Sequence, residues 1–180
     1  MGLTSAQIAR PFVGVVTSWN EASPGNIALA RQAQAAKRGV RDSGGTPREF
    51  TTIVGSDSGV GGTLSLISRD LIAESIEAMV RGHGYAALVG LAGCGTSLAA
   101  MMMAMARLDL PSVIMFGGAA LPGRYLDRDI TLQDVYEAVG AHAAGTISDD
   151  DLRAIETAAC PSAGAGAGQF SANTMASVSE

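Results

Sequence analysis

The chain has 180 residues, 47% of them hydrophobic, with 23 glycines and only 4% aromatics. That length suits one domain with a buried core of Ala, Val, Leu, Ile and Met, and the composition excludes a disordered chain. Seventeen acidic against twelve basic residues give a net charge of −5 with no basic cluster, which argues against a nucleic-acid partner.

The first predicted element is a buried strand over residues 12–17, followed by the polar turn SWNEASPGN (18–26). An Ala-rich helix over 27–41 stops before Gly44-Gly45, because glycine ends helices readily. A second strand is predicted over 50–54, with the turn SDSGVGG (56–62) after it. Ile67, Leu71, Ile72, Ile76, Met79 and Val80 then recur at helical spacing and predict one apolar face. A third strand over 86–91 runs into LAGCGTSL (91–98) and a helix whose Met101, Met102, Met103 and Met105 read as core packing. The fourth strand, 112–116, leads into a Gly-rich turn over 117–124. Thr131 and Ser148 each precede an acid three residues on (Asp134 and Asp151), so both open helices as capping boxes. The glycine-rich turn CPSAGAGAGQFSANTM (160–175) comes last, with a helix starting inside ANTMASVSE. Strands alternating with helices in this way predict an α/β fold, a mostly parallel sheet with crossover helices.

Residues 82–106 carry no Asp, Glu, Lys or Arg, a length that could span a bilayer. Gly90, Gly93 and Gly95, with Thr96 and Ser97, interrupt it, so strand, turn and buried helix are expected and no membrane span. Cys94 and Cys160 give no disulfide framework and fit a reducing compartment. The N-terminus lacks a charged-then-apolar signal pattern, and Ala6 stands where myristoylation needs Ser or Thr. A cytoplasmic protein is expected.

In open parallel sheets ligands bind at the carboxyl ends of the strands. The turns that follow the predicted strands would gather there Asn20 and Glu21, Ser56 and Asp57, Cys94 with Thr96 and Ser97, and Gly117 to Arg124. The helix opening at Thr96 would turn backbone N–H groups toward an anion, which suits a small carboxylate. Cys94, between Gly93 and Gly95, reads either as a thiolate activated by that helix end or as a small buried hydrophobe. His83 and His142 both fall near helix ends, so a Cys–His pair is not supported. Gly164, Gly166 and Gly168 follow no strand and precede no Lys-Ser or Lys-Thr pair, which makes a phosphate-binding loop a weak reading.

The words SWNEASPGN, SLISRDLIAESIE, LAGCGTSLAAMMMAMARLDLPSV, ALPGR, DVYEAVGA and CPSAGAGAGQFSANTMAS occur in one order. In that order the chain resembles the dihydroxy-acid dehydratase and phosphogluconate dehydratase family, which includes sugar-acid dehydratases. The resemblance covers nearly all 180 residues as one domain and matches only the family's N-terminal portion, so the chain reads as truncated, without the C-terminal domain. It implies an α/β domain, dimers, and removal of water from 2,3-dihydroxy acids to give 2-keto acids, in branched-chain amino-acid or sugar-acid metabolism. The family uses an iron–sulfur cluster on three cysteines as Lewis acid, with Mg²⁺ holding the substrate.

By this resemblance Cys94 matches one cluster ligand, while Gly25 and Gly166 stand where the family has the other two cysteines. Cys160 matches a cysteine that is not a ligand. Gly95 and Thr96 replace the Asp and carbamate-forming Lys of the Mg²⁺ site, and SDSGVGG lacks its glutamate, leaving Asp57 as a remnant metal ligand. Asn20, Glu21 and Arg124 are retained, with Asn20 and Arg124 expected at the substrate. The family's catalytic serine belongs to the missing domain, so no catalytic residue is assigned. The expectation is a cofactor-free, non-catalytic or partner subunit that binds at most a small hydroxy acid and pairs with a second copy or a C-terminal-half chain. The alternative is half of a split hydro-lyase completed by a second chain. A remnant without a selected role is the third reading.

Overall fold

A computed structural model of the chain describes residues 2–54 and 64–180, with the side chains of residues 64 and 65 outside that description. In chain order the elements are α1 (Ser5–Ile8), β1 (Phe12–Thr17), α2 (Pro24–Ile27), α3 (Leu29–Asp42), β2 (Thr46–Thr51), α4 (Leu64–His83) and β3 (Ala87–Ala92). They continue with α5 (Gly95–Leu108), β4 (Ser112–Phe116), β5 (Gly123–Tyr125), β6 (Arg128–Ile130), α6 (Leu132–Ala143), α7 (Asp149–Ala158) and α8 (Ser171–Ser179). The α/β architecture is the one that the alternating pattern predicts.

Strands β2, β1, β3 and β4 form one parallel sheet in that order, with Phe12 opposite Thr46, Val13 opposite Ala87, and Leu88 opposite Ser112. Their apolar side chains divide between two faces, as the period of two requires. On one face Val16 and Leu88 meet Ile72, Ala73, Ile76 and Val80 of α4 and Leu98, Met101 and Ala104 of α5, with Met175 and Ala176 of α8 at the margin. On the other, Val15 and Leu91 meet Leu29 and Ala33 of α3. Each fully buried Leu, Ile or Met is worth about 1.5–3 kcal/mol relative to exposure, so the two faces carry most of the stabilisation.

The elements after β4 form a smaller unit. The hairpin β5–β6 and helices α6 and α7 close around Ile130, Ala138, Ile155 and Ala159. Both predicted capping boxes are present: Thr131 with Asp134 opens α6, and Ser148 with Asp151 opens α7. Helix α3 ends where expected, with Gly44 at φ +86° and the Gly45 N–H donating to the Val40 carbonyl at 2.9 Å.

Some boundaries differ from expectation. The second strand lies at Thr46–Thr51, not 50–54, because its register is set by pairing with β1. Its edge position tolerates Pro47, Arg48 and Glu49, which apolar-run logic discards. The predicted 27–41 helix is split at Ala28 into α2 and α3. On α4 only Ile72, Ile76 and Val80 of the predicted stripe are buried; Ile67 and Leu71 are 67% and 55% exposed. Ser56, Asp57, Gly59, Gly61 and Gly62 lie outside the described residues.

Candidate functional site

The carboxyl edge of the sheet is where the glycine-rich turns meet. The Ser18 N–H, just past β1, donates to the Leu91 carbonyl at 3.0 Å, and the Gly117 N–H, just past β4, donates to the Ala92 carbonyl at 2.8 Å. The 160–175 turn is stitched to both neighbours. Gly164 N–H donates to the Pro24 carbonyl at 3.0 Å and Ala165 N–H to the Gly118 carbonyl at 3.0 Å, while Ala119 and Ala165 form a parallel bridge. Three segments far apart in sequence thus converge at one place.

Cys94 is the N-cap residue of α5, with extended backbone at φ −136° and ψ 145°. It sits at the strand-to-helix turn predicted for it, but buried, and neither it nor the exposed Cys160 is in a disulfide. Thr96 and Ser97 are buried in the first turn of the same helix. Gly25 is buried in α2. A β-carbon at Gly25 would overlap the Gly93 carbonyl oxygen, and one at Gly93 would overlap that of Gly25. Gly117 closes a third side, where a β-carbon would stand 2.8 Å from Leu29 Cδ2. The turns therefore touch backbone to backbone.

Gly95 and Gly166 are enclosed less uniformly. A β-carbon at Gly95 would lie 2.8 Å from the Ser171 carbonyl oxygen, because the start of α8 rests on α5. At Gly166 the nearest atom would be Phe170 Cδ2 at 3.2 Å, the edge of a ring that can turn. Asn173 holds this turn by donating its Nδ2 to the Gly166 carbonyl at 2.8 Å and to the Gly168 carbonyl. Beside α5 a cavity of about 550 Å³ is lined by Arg69, Gly95, Thr96, Gln169, Phe170 and Ser171, among others.

The polar remnants are occupied locally. Asn20 Nδ2 donates to the Ser18 carbonyl at 3.2 Å, and its Oδ1 accepts from the N–H groups of Ala22 and Ser23, both at 2.9 Å. Arg124 sits in the β5–β6 hairpin, 3.6 Å from Asp129 Oδ1 and 3.8 Å from Asp127 Oδ1. His83 ends α4, against the Tyr85 ring and before β3, a full strand away from Cys94 after β3. His142 contacts Asp149 Oδ1 at 2.6 Å in the smaller unit. Sequence reasoning missed Asn26, which accepts a hydrogen bond from Ser18 Oγ at 3.0 Å. Among the described residues its Nδ2, Ser97 Oγ and Arg69 Nε are buried without a partner. Ser97 lies in the first turn of α5, where the sequence placed it, whereas no periodicity or spacing marks Asn26 or Arg69.

A three-thiolate cluster does not fit these residues. Of the two cysteines only Cys94 is buried where the turns meet and Cys160 is exposed; glycine offers no donor at 25 or 166, and backbone oxygen occupies the space beside Gly25. Among the described residues no group of three His, Cys, Asp or Glu could hold a metal ion. No described helix is long and apolar enough to cross a membrane.

A family model described as dihydroxy-acid/6-phosphogluconate dehydratase N-terminal matches residues 10–180. The chain is 60% identical to the dihydroxy-acid dehydratase of Pelagibacter ubique, covering 100% of this chain and 32% of that one. It is 59% identical to that of Parvibaculum lavamentivorans, with the same two coverages, and 50% identical to that of Metallosphaera sedula, over 100% and 33%. The chain spans about a third of the length of the curated relatives it matches.

Proposed function

The chain belongs to the dihydroxy-acid/6-phosphogluconate dehydratase family, by its N-terminal region, and from that premise we propose that it is a cluster-free, non-catalytic member acting as a partner subunit. One observation carries this reading: Gly25 packs its backbone on Gly93, beside a lone Cys94, where three sulfurs would be required. The scaffold that brings the turns together is kept while the donors are gone. Stability of the domain alone accounts for that framework.

Any small ligand in this reading is a hydroxy acid, which Asn20 and Arg124 would meet only by giving up the local partners described above. Its partner is a second copy or a chain carrying the rest of the family's length, in a cytoplasmic setting. The test is iron and acid-labile sulfide in anaerobically purified protein. Neither is expected in stoichiometric amount; one cluster per chain would overturn the reading.

A second reading is favoured by one specific observation, that about two-thirds of the relatives' length lies outside the match. It makes this chain half of a split hydro-lyase. Dehydration of a 2,3-dihydroxy acid by the chain together with a complementing polypeptide, but by neither alone, would establish it.

A further inference from the structure

The amino edge of the sheet, opposite the glycine-rich turns, carries positive charge that the fold leaves uncompensated. There a cavity of about 280 Å³ opens between the N-terminal segment, the end of α3 and the start of β2. Arg10, Arg41 and Arg48 line it together with Gln7 and Thr46, and no Asp or Glu does. Strands β1 and β2 start at this edge and run six residues to the other. At the usual rise per residue, roughly 16 Å of strand separates the cavity from the turn after β1.

Among the described residues none of the three guanidinium groups pairs with a carboxylate. Glu49 follows Arg48 on the strand and so faces the other way, where it pairs with Lys37. Arg48 is half-buried and anchored: its guanidinium lies 5.8 Å from the centre of the Phe12 ring. Its Nη1 reaches the Pro47 carbonyl only at 3.4 Å, and its Nη2 is buried without an acceptor. The arginines are not needed to cap α3 either. The Gly39, Val40 and Arg41 carbonyls accept from the N–H groups of Ser43, Gly45 and Gly44, and Thr46 donates its N–H to the Pro11 carbonyl and its Oγ1 to the Gln7 carbonyl. A buried charged donor with no acceptor destabilises the fold, and an anion beside it relieves that cost.

We propose that this cavity is a binding site for a phosphate-type oxyanion, either free or as the phosphoryl end of a small ester. The planar fork of arginine matches two oxygens of such a group, and three guanidinium groups around one cavity suit a multiply charged anion. Small-molecule clefts run from about 300 to 1,000 Å³, so this cavity takes a phosphoryl group with a few atoms attached and nothing drug-sized. The anion gives Arg48 the acceptor that its Nη2 lacks, while Arg41 and Arg10 approach from the α3 and N-terminal sides. The chain is acidic overall, at −5, so attraction to this place is local. The site is independent of the cluster-free reading and neither requires the other.

The experiment titrates the 180-residue chain with inorganic phosphate, and separately with methyl phosphate, at neutral pH and low ionic strength. Calorimetry should show saturable one-to-one binding, with amide shifts in nuclear magnetic resonance confined to residues 2–10 and 41–48. Arg48→Gln and Arg41→Gln should each weaken binding at least tenfold. Arg48→Lys, which keeps the charge and loses the fork, should fall between. Arg153→Gln, at an exposed position on α7, should leave it unchanged. Arg41 is exposed at a helix end, so that variant decides the matter if Arg48→Gln fails to fold by circular dichroism. Tighter binding of methyl phosphate supports the proposal with an ester as ligand, and tighter binding of inorganic phosphate supports it with the free anion. Binding that never saturates, shifts spread over the whole chain, equal displacement by chloride, or indifference to the Arg41 and Arg48 substitutions would overturn it. Iron and sulfide content bears on the cluster-free reading alone, so the two can fail separately.

Discussion

By the family resemblance positions 25 and 166 both stand where a cysteine is expected, but the fold treats these two glycines differently. A cysteine at 25 would drive its Cβ into the Gly93 carbonyl, which is backbone and can yield only if two turns separate. At 166 the obstacle is the Phe170 ring, which can rotate. Gly25→Cys should therefore cost about 1–3 kcal/mol, typical of overpacking, and Gly166→Cys less than about 1 kcal/mol, measured by denaturant unfolding. Equal costs would contradict the packing argument. The double variant, offered iron and sulfide anaerobically, should still fail to assemble a stoichiometric cluster.

Helices α6 and α7 owe their starts to short polar signals that act within a single turn. The Thr131 N–H and the nearby Arg128 hold the Asp134 carboxyl below the usual carboxylate range, and the Ser148 hydroxyl and N–H do the same for Asp151. A carboxyl lowered in the folded state stabilises it fully above its unfolded pKa, about 3.9, and that share is lost as pH falls through the folded value. Stability should thus be flat above about pH 5 and decline below pH 4, with Asp134→Asn flattening the acid limb in pH-dependent melts. Replacing the other partner tests the cap directly: Ser148→Ala should cost about 0.5–2 kcal/mol. A cost within error would mean that burial of Ile155 alone holds α7 in place.

For the molecule as a whole, one face of the sheet is covered by α4, α5 and α8, and the other by α3. Val113, Met115 and Val178 remain exposed along and near the uncovered margin. Exposed apolar side chains on an open sheet edge favour association. The lone chain should associate in a concentration-dependent way in sedimentation velocity. A single monomeric species at high concentration would contradict that.

The order of the four sheet strands and their crossover helices, both capping boxes and the meeting of the turns after β1, β3 and β4 at the carboxyl edge were legible in the sequence, because periodicity and caps act over a few residues. So was the absence of sulfur at 25 and 166, a matter of residue identity alone. Helix α1 and the β5–β6 hairpin that holds Arg124 were not legible there. The position of β2, the exposure of Ile67 and Leu71, the burial of Asn26 and the open edge of β4 were not. Each depends on which segments pack together across long separations in the chain, and local pattern carries no record of that. Tertiary structure alone decided that the space beside Gly25 is filled by the Gly93 backbone, because closing it takes two turns that meet only once the sheet has formed.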